Sequence, residues 1–431
     1  MTGQIFFRSY GKVIFSALYN LSFICYSYCR MTSEEKIKAR IEKLLFLAIF
    51  IVGFLSGFSF LIPYLQHLND KPIVSGIVDA GKNTLGAKTA KGEVIGFLPY
   101  WIISEKTPVY PQNLTQLIYF NVEADEKGNL LLNDKNGNLT PEWKFFFTDY
   151  FQDLKTQAKL AETKVLVAVT NFNIESIDKL IRSKTAGANF ASNIAGLLAN
   201  FDLDGINIDF EYTTDEKLPD SFYLSKFLTE LRSEMNKAKK ENILSIDLMA
   251  NALVKNADFD LQKIAESVDQ IIVMTYDYSH PGSETAGPVA PLYGGFNERS
   301  VNEVISLLRG KIEDHKIVMG IPLYGYEWQT ESTSYRSRVS SDSPVALASY
   351  KRLKELTHTQ KNLKVNWNDI AKSPWINYWD GNNKQIYFEN DLSLENKVHY
   401  AYKNNLGGVA LWALGYDGGY LEPWQIIRKY F

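Results

Sequence analysis

The chain has 431 residues and carries 46 Lys and Arg against 49 Asp and Glu, a formal net charge of −3. No basic surplus is available for a phosphate backbone, so a nucleic-acid partner is not expected. Histidine is scarce, no H-E-x-x-H pair occurs, and both cysteines, Cys25 and Cys29, lie near the N-terminus, so neither a metal nor another cofactor is predicted.

The first predicted element is a membrane-spanning helix. Residues 44–62 (LLFLAIFIVGFLSGFSFLI) carry no charge, and their number suffices to cross a bilayer. Four basic residues precede the run: Lys36, Lys38, Arg40 and Lys43. The positive-inside rule places that flank in the cytoplasm. A cleaved signal peptide is the alternative, but the run is long for one and no clear cleavage site follows.

These observations predict a cytoplasmic segment at residues 1–43, a transmembrane anchor at 44–65, a polar linker at 66–92 and a folded domain at 93–431. The protein is therefore expected in the cell membrane as a single-pass protein, with the folded domain on the extracytoplasmic side. We expect Met31, which opens the basic segment, to be the true start.

From residue 93 onward, short apolar runs alternate with helical patterns such as residues 221–240 and 300–310. The predicted strands are residues 94–98, 116–121, 164–170, 205–210, 243–249, 270–276, 316–322 and 408–414. Strand–helix alternation indicates a parallel sheet, and eight strands favour a closed (β/α)₈ TIM barrel of the α/β class. A doubly wound open sheet is the alternative, and the lack of an early G-x-G-x-x-G makes it weaker.

The stretch between the seventh and eighth strands is longer than one helix requires. It holds several aromatic residues: Tyr335, Trp367, Trp375, Tyr378, Trp379 and Tyr387. We predict a small α+β insertion at about residues 329–395, and we expect its aromatic side chains to wall a cleft at the barrel mouth.

The fourth strand carries the most informative pattern, Asp204-Gly205-Ile206-Asn207-Ile208-Asp209-Phe210-Glu211. Side chains alternate faces along a strand, so Asn207, Asp209 and Glu211 share one face. We expect that face to point inward, where neighbouring acids repel and one keeps its proton near neutral pH, as a general acid must. A buried polar network that only stabilises the fold is the alternative.

Other predicted strands also end in polar and aromatic residues. The sixth strand ends in Met274-Thr275-Tyr276-Asp277-Tyr278. The seventh strand ends in Gly320-Ile321-Pro322-Leu323-Tyr324-Gly325-Tyr326-Glu327-Trp328. The eighth strand carries Gly408-Val409-Ala410-Leu411-Trp412. In such barrels the active site lies at the C-terminal ends of the strands. We therefore expect these segments to converge on one site.

At these positions the sequence resembles glycoside hydrolase family 18, the chitinase-like family, over roughly residues 93–431. The signature D-G-x-D-x-D-x-E matches residues 204–211 except at one position, M-x-Y-D matches residues 274–277, and the tryptophan of the eighth strand matches Trp412. Residues 373–390 are similar to an insertion that many members have.

The resemblance implies hydrolysis of β-1,4 bonds next to N-acetylglucosamine, with the nucleophile supplied by the substrate's own acetamido group. Glu211 would protonate the leaving oxygen and later activate water, giving net retention. Asp209 would accept a hydrogen bond from the acetamido N–H, Tyr276 would hold the acetamido oxygen, and Asp277 would contact the same sugar. Trp412 would form the floor under that sugar.

Further substrate-binding candidates lie at the same strand ends: Met274, Phe97, Tyr100, Trp101, Tyr324 and Trp328. The expected partner is a polysaccharide containing N-acetylglucosamine, whether chitooligosaccharide, peptidoglycan or a glycoprotein glycan. Both endo and exo cleavage are compatible with the sequence.

Two departures from the family pattern stand out. Asn207 occupies a position where the family usually has Asp, which predicts that Asp209 ionises more readily and is less coupled to Glu211. The third strand ends in Val169-Thr170-Asn171-Phe172 rather than S-x-G-G. Both features are similar to the branch that includes peptidoglycan N-acetylglucosaminidases of spore-forming bacteria.

Two other readings stay open from sequence. A catalytically inactive chitinase-like lectin would bind the same sugars, but such proteins often lack the acid that Glu211 provides. A barrel whose acidic strand is purely structural is the other reading.

Overall fold

The computed structural model describes residues 92–103, 107–211, 221–238, 241–255, 260–295, 298–341, 343–360 and 363–431. Within those ranges, no helix combines the length and apolar character needed to span a bilayer. The predicted anchor at 44–65 lies outside the described residues and stays a prediction, as do the segment before it and the linker up to residue 91.

Eight parallel strands close into a barrel. In chain order the first seven are β1 (Glu93–Pro99), β2 (Gln116–Glu123), β3 (Lys164–Asn171), β4 (Gly205–Phe210), β5 (Ile243–Met249), β6 (Gln270–Met274) and β7 (Ile317–Pro322). Five strands belong to the insertion: β8 (Tyr324–Gln329), β9 (Ala346–Ser349), β10 (Val365–Asn368), β11 (Ser373–Trp379) and β12 (Asn383–Tyr387). The last barrel strand is β13 (Gly408–Trp412), which pairs with both β1 and β7. The predicted barrel is confirmed.

Helices surround the barrel. They are α1 (Pro141–Phe146), α2 (Asp149–Leu160), α3 (Ile174–Arg182), α4 (Lys184–Phe201), α5 (Ser221–Ala238), α6 (Ala250–Lys255), α7 (Leu261–Ser267), α8 (Val301–Leu308), α9 (Tyr350–Thr359), α10 (Asp391–Lys403) and α11 (Glu422–Ile427). Side-chain caps define several starts, among them Asn173 on α3, Ser183 on α4 and Asn390 on α10. The side-chain oxygens of these caps accept hydrogen bonds from backbone N–H groups that have no partner within the first helical turn.

The barrel strands pack outward on the helices and inward on each other. The outward core includes Ile206, Ile208 and Phe210 of β4, as alternation along a strand requires. The barrel interior is divided. One side is apolar, with residues such as Ile95, Ile118 and Leu166. The side formed by β3, β4 and β5 carries buried polar residues: Thr170, Asn207, Asp209, Ser245 and Asp247.

The insertion is a five-stranded antiparallel sheet in the order β10-β11-β12-β8-β9, with α9 attached. The predicted α+β insertion is therefore present, but its sheet begins at Tyr324 and ends at Tyr387 rather than spanning 329–395. Only Leu323 separates β7 from β8. Because so short a connection separates the two strands, the new strand reads in the sequence as a continuation of the old one.

Most of the insertion's aromatic residues form its own core and not a cleft wall. Trp375 stacks on Tyr387 with ring centroids 5.8 Å apart, and Tyr335 packs against both. None of the six aromatics expected to wall the cleft lines the cavity at the barrel mouth. A sheet this small needs a compact apolar core of its own, and its aromatic side chains supply one.

Candidate active site

Strand β4 directs its polar residues into the barrel, as its alternation predicted. Asn207 and Asp209 are buried inside, and Glu211 follows at the carboxyl end of the strand. The backbone N–H of Glu211 donates to the carbonyl of Asn171 at 3.0 Å, which holds the residue beside the end of β3. Gly205 opens the strand because β5 approaches closely there: an added Cβ would lie 2.1 Å from the carbonyl oxygen of Ile243.

A cavity of about 500 Å³ lies at the carboxyl ends of the barrel strands. Its lining residues are Asp209, Glu211, Asp247, Met249, Ala250, Asn251, Met274, Tyr276, Asp277, His280, Tyr324 and Trp412. Seven of these are residues that the sequence predicted for the site. They come from β4, β6, β8 and β13, so the fold brings together segments that are far apart in the chain.

A larger depression, of about 990 Å³, opens at the opposite end of the barrel. It is lined by residues at strand starts, such as Glu93, Gln116 and Lys164. None of the predicted site residues reaches it. The amino ends of barrel strands serve stability rather than chemistry in this architecture, so the smaller cavity is the candidate active site.

Glu211 is prepared to act as an acid. Burial raises the pKa of its carboxyl from 4.5 to about 7, and the negative charge of Asp277 adds to the effect. A general acid works best when its pKa is close to the operating pH. Glu211 can therefore hold a proton at neutral pH and still release it.

Asp209 differs from the sequence expectation. Burial raises the pKa of its carboxyl well above the usual range, with further contributions from Glu211 and Asp247. The expectation that Asn207 would leave Asp209 readily ionised and weakly coupled to Glu211 is therefore wrong. The pattern of β4 shows only neighbours within that strand, whereas Asp247 on the adjacent strand supplies the carboxyl that Asn207 lacks.

Asp247 is the site residue that sequence reasoning missed. It lies on the inner face of β5, it is buried, and its Oδ1 accepts a hydrogen bond from Asn207 Nδ2 at 2.8 Å. The same amide donates to Ser245 Oγ at 3.0 Å. A signal was present: Ser245 and Asp247 alternate with apolar residues in the ILSIDLM run, as Asn207 and Asp209 do in β4.

Asp277 is held by the insertion. Tyr324 and Tyr326 of β8 both donate hydroxyl hydrogen bonds to its Oδ1, at 2.7 and 3.2 Å. Burial raises the pKa of Asp277, and the two hydroxyls oppose that rise. The residue has a left-handed backbone (φ 56°), a conformation that a non-glycine residue keeps only where its surroundings impose it. The insertion thus positions a carboxyl at the barrel mouth.

Tyr276 presents a neutral hydroxyl. Burial raises the pKa of its phenol well above the usual value, and the surrounding carboxyls Asp247, Glu211, Asp209 and Asp277 add to the rise. A phenol that stays protonated can donate a hydrogen bond to an oxygen of a bound molecule.

Trp412 forms an apolar surface in the cavity. Its ring packs on Phe120 and Phe97, with centroids 4.7 and 5.7 Å away, and Trp101 lies 6.3 Å from it. These aromatic residues fix the indole plane. A ring held in this way offers one face for stacking on the apolar side of a sugar.

Four predicted binding residues do not line the cavity. Phe97 is buried beneath Trp412, and Tyr100 is half-buried against Trp101, which is 51% exposed. Trp328 is fully buried in the core of the insertion, against Tyr326 and Tyr387. The expectation that Trp328 walls the cleft is therefore wrong. Trp328 shares a face of β8 with Tyr324 and Tyr326, but it lies further along the strand, inside the closed apolar cluster of the insertion.

The two unusual residues at the end of β3 help to shape this part of the barrel. Thr170 lies beside Asp209 in the sheet and accepts a hydrogen bond from Asn121 Nδ2 at 2.5 Å. The side chain of Asn171 donates to the carbonyl of Ala124 at 3.0 Å and to Ser176 Oγ at 2.8 Å.

Across the described residues, no group of three His, Cys, Asp or Glu side chains is arranged to hold a metal ion.

Comparison with known proteins identifies the architecture. The profile of glycosyl hydrolases family 18 matches residues 93–417, which is most of the chain. The chain belongs to glycoside hydrolase family 18. It is therefore a glycosidase, and the described barrel is the family's catalytic fold.

Several family 18 relatives come from Bacillus. The uncharacterized glycosylase YvbX of Bacillus subtilis is 28% identical over 294 residues, covering 64% of this chain and 77% of that protein. The cortical fragment-lytic enzyme of Bacillus anthracis is 23% identical over 341 residues, covering 74% of this chain and 68% of that one.

Two solved structures share the fold. The group IV chitinase of Ostrinia furnacalis superposes with a TM-score of 0.67 at 22% identity, covering 78% of this chain and 98% of the chitinase. The spore cortex-lytic enzyme SleL of Bacillus cereus superposes with a TM-score of 0.61 at 21% identity, covering 79% of this chain and 74% of SleL. At these identities the likeness establishes the fold.

Proposed function

We propose that this family 18 chain hydrolyses the β-1,4 bond next to an N-acetylglucosamine unit by substrate-assisted, retaining catalysis. One observation carries the proposal: the carboxyl of Glu211, with a pKa of about 7, shares one cavity with Asp209, Tyr276 and Trp412. That set contains an acid, a hydrogen-bond acceptor, a hydrogen-bond donor and a stacking surface.

The proposed first step breaks the glycosidic bond. Glu211 gives its proton to the leaving oxygen, and the carbonyl oxygen of the sugar's acetamido group attacks the anomeric carbon. The Tyr276 hydroxyl donates to that carbonyl oxygen and holds it in line. Asp209, as a carboxylate, accepts the acetamido N–H and offsets the positive charge that develops on the cyclic intermediate.

The proposed second step releases the product. Water attacks the anomeric carbon from the face that the leaving group vacated, and Glu211 takes the water's proton. Two inversions give net retention. Trp412 supports the sugar from below, and Asp277, held by Tyr324 and Tyr326, hydrogen-bonds it from the side.

For the substrate we favour the glycan strands of peptidoglycan. Two of the Bacillus relatives are named a cortical fragment-lytic enzyme and a spore cortex-lytic enzyme. Asn207 and Thr170 belong to the features by which the sequence resembles the peptidoglycan-cleaving branch. Soluble chitooligosaccharides contain the same bond and are the second substrate to test.

The test compares the full chain with Glu211→Gln, using N-acetylglucosamine oligomers and purified peptidoglycan. We expect the parent to release fragments and the variant to lose at least about a thousandfold in rate while still binding, since only the proton is removed. Glu331→Gln, at an exposed position of the insertion, is the matched control and should cleave normally. Mass spectrometry of the products identifies the bond that is cut and the substrate.

Each alternative has its own result. Turnover by Glu211→Gln at the parent's rate would remove Glu211 as the acid. A parent that bound these glycans without cutting any of them would contradict the proposed reaction and favour the lectin reading.

We also propose that the protein is anchored in the cell membrane with its barrel outside. The uncharged run at 44–62 and the basic residues before it support this location. Fractionation of cells that express the full chain should recover the protein with membranes after an alkaline wash, and N-terminal sequencing should find the anchor retained. A mature N-terminus beyond residue 62 would instead establish a cleaved signal peptide.

A further inference from the structure

Asp247 is a second buried carboxyl beside Asp209. Strands β4 and β5 pair in register, with Asn207 opposite Ser245 and Ile208 opposite Ile246. The next inward-facing residues of the two strands are Asp209 and Asp247, and both line the cavity. Asp209 and Asp247 are 2% and 5% exposed, so little water reaches either one.

The surroundings of Asp247 hold several acids and no strong base. The titratable groups facing it are Asp209 and Glu211 from β4, and Tyr276, Asp277 and His280 from the segment after β6. Among the described lining residues there is no Lys or Arg. Two adjacent carboxyls in such a site cannot both be ionised at moderate cost, so the pair retains one proton over a wide pH range.

Hydrogen bonds decide which of the two carboxyls carries the charge before substrate docks. Asn207 Nδ2 donates to Asp247 Oδ1 at 2.8 Å, and this bond lowers the pKa of Asp247 against the rise caused by burial. Asp209 Oδ1 is buried and has no hydrogen-bond partner. The negative charge is therefore better placed on Asp247, and the proton on Asp209.

We propose that Asp247 is a positioning residue that accepts the proton of Asp209 when the acetamido N–H of the substrate docks on Asp209. The O–H bond of Asp209 breaks, an O–H bond forms on Asp247, and the charge of the pair stays the same. Asp209 becomes the carboxylate that the reaction requires. This inference rests on the proposed function, because it assigns the source of that carboxylate.

The inward-facing residues next to Asp209 within β4 and β3 cannot take this role, and Glu211 must keep its own proton for the leaving oxygen in the proposed first step. Asn207 carries an amide, which cannot become a neutral acid by accepting a proton near neutral pH. Thr170, on the other side of Asp209, does not ionise. The family pattern has an acid at position 207, and here the acid stands on the adjacent strand and contacts that position through a hydrogen bond.

The first experiment measures activity in the full chain with Asp247→Asn. The amide still accepts the bond from Asn207, so we expect normal folding. We expect kcat on N-acetylglucosamine oligomers to fall at least about tenfold with KM nearly unchanged, because Asp209 must now release its proton to solvent. The acidic limb of the pH profile should move to higher pH. Asp153→Asn, on the exposed face of α2, is the control.

A swap of the two residues tests the position of the carboxyl. Asn207→Asp combined with Asp247→Asn returns an acid to β4 beside Asp209, and we expect it to recover most of the activity that Asp247→Asn loses. The proposal would be contradicted if the swap variant were no more active than Asp247→Asn. It would also be contradicted if Asp247→Asn kept the parent's kcat and pH profile.

A second measurement does not depend on turnover. Carbon NMR of Asp-labelled protein in the Glu211→Gln background follows the Asp209 and Asp247 carboxyls with pH. We expect two titrations for the pair, and after Asp247→Asn a single titration of Asp209 between them. An unchanged Asp209 titration would overturn the inference even in an active enzyme. The paired titration would stand even if the parent cleaved none of the glycans, which separates this inference from the proposed function.

Discussion

At the scale of single residues, the site depends on burial more than on residue type. Glu211, Asp209 and Asp247 are ordinary carboxyls, and it is the closed inner face of the barrel that raises the pKa of each one. Removing a carboxylate from water disfavours the charged form. A site that keeps acids protonated at neutral pH therefore costs stability at the same pH.

The pH dependence of stability tests this cost. The pKa of Glu211 rises from 4.5 in the unfolded chain to about 7, so its contribution to stability is complete below the lower value and is lost as the pH rises through the higher one. We expect Glu211→Gln to unfold with a free energy on the order of 1–3 kcal/mol above the parent's near pH 8, and equal to it near pH 4. Denaturant unfolding at both pH values measures this.

The control for this prediction is again Glu331→Gln, which should match the parent at both pH values because its side chain is exposed. A stabilisation by Glu211→Gln that is the same at both pH values would point to packing and not to the ionisation of Glu211. The rate of hydrolysis should also decline as the pH rises through about 7, since the acid must be protonated to act.

At the scale of elements, the insertion acts on the site through its first strand. Strand β8 begins one residue after β7 and supplies the two tyrosines that hold Asp277. The insertion returns to the barrel at α10, where Lys397 Nζ lies 2.8 Å from Glu389 Oε2 and both side chains are 1% exposed. This pair joins the end of the insertion to a helix of the barrel.

Breaking this buried pair should destabilise the protein. Lys397→Met leaves the charge of Glu389 buried without its partner, so we expect the free energy of unfolding to fall by about 3–5 kcal/mol. Chemical denaturation of the purified protein measures the change. Lys159→Met removes an ion pair with Asp202 at 3.0 Å whose side chains are 78% and 75% exposed, and it should leave the free energy of unfolding nearly unchanged.

A double variant separates charge from packing. Glu389→Gln together with Lys397→Met removes both charges, and its stability should exceed that of Lys397→Met alone because no unpaired charge stays buried. If Lys397→Met lowered the free energy of unfolding no more than Lys159→Met does, the Lys397–Glu389 pair would not stabilise the contact between the insertion and the barrel.

At the scale of the whole molecule, one closed barrel serves two purposes. Its outward face and half of its interior are apolar and hold the fold together. The remaining interior, along β3, β4 and β5, is polar and opens into the cavity. On this side of the barrel, the chemistry that the buried polar residues support offsets the cost of burying them.

The barrel and the main acid could be predicted from the amino-acid sequence alone. Eight apolar runs mark the strands because parallel strands are buried on both faces, and the two-residue period of β4 placed Asn207, Asp209 and Glu211 on one side before any contact was known. The motifs at the strand ends indicated the family, since barrel topology brings those ends together.

The interactions among the buried acids could not be predicted from the sequence, because they depend on how the strands pack. The contact between Asn207 and Asp247 depends on the register of β4 against β5, which no pattern within either strand reveals. Trp328 and Tyr324 lie four residues apart in one aromatic strand, yet one is closed in a core and the other lines the cavity. Burial and pKa depend on neighbours from distant parts of the chain, so they follow from the packed fold and not from local sequence.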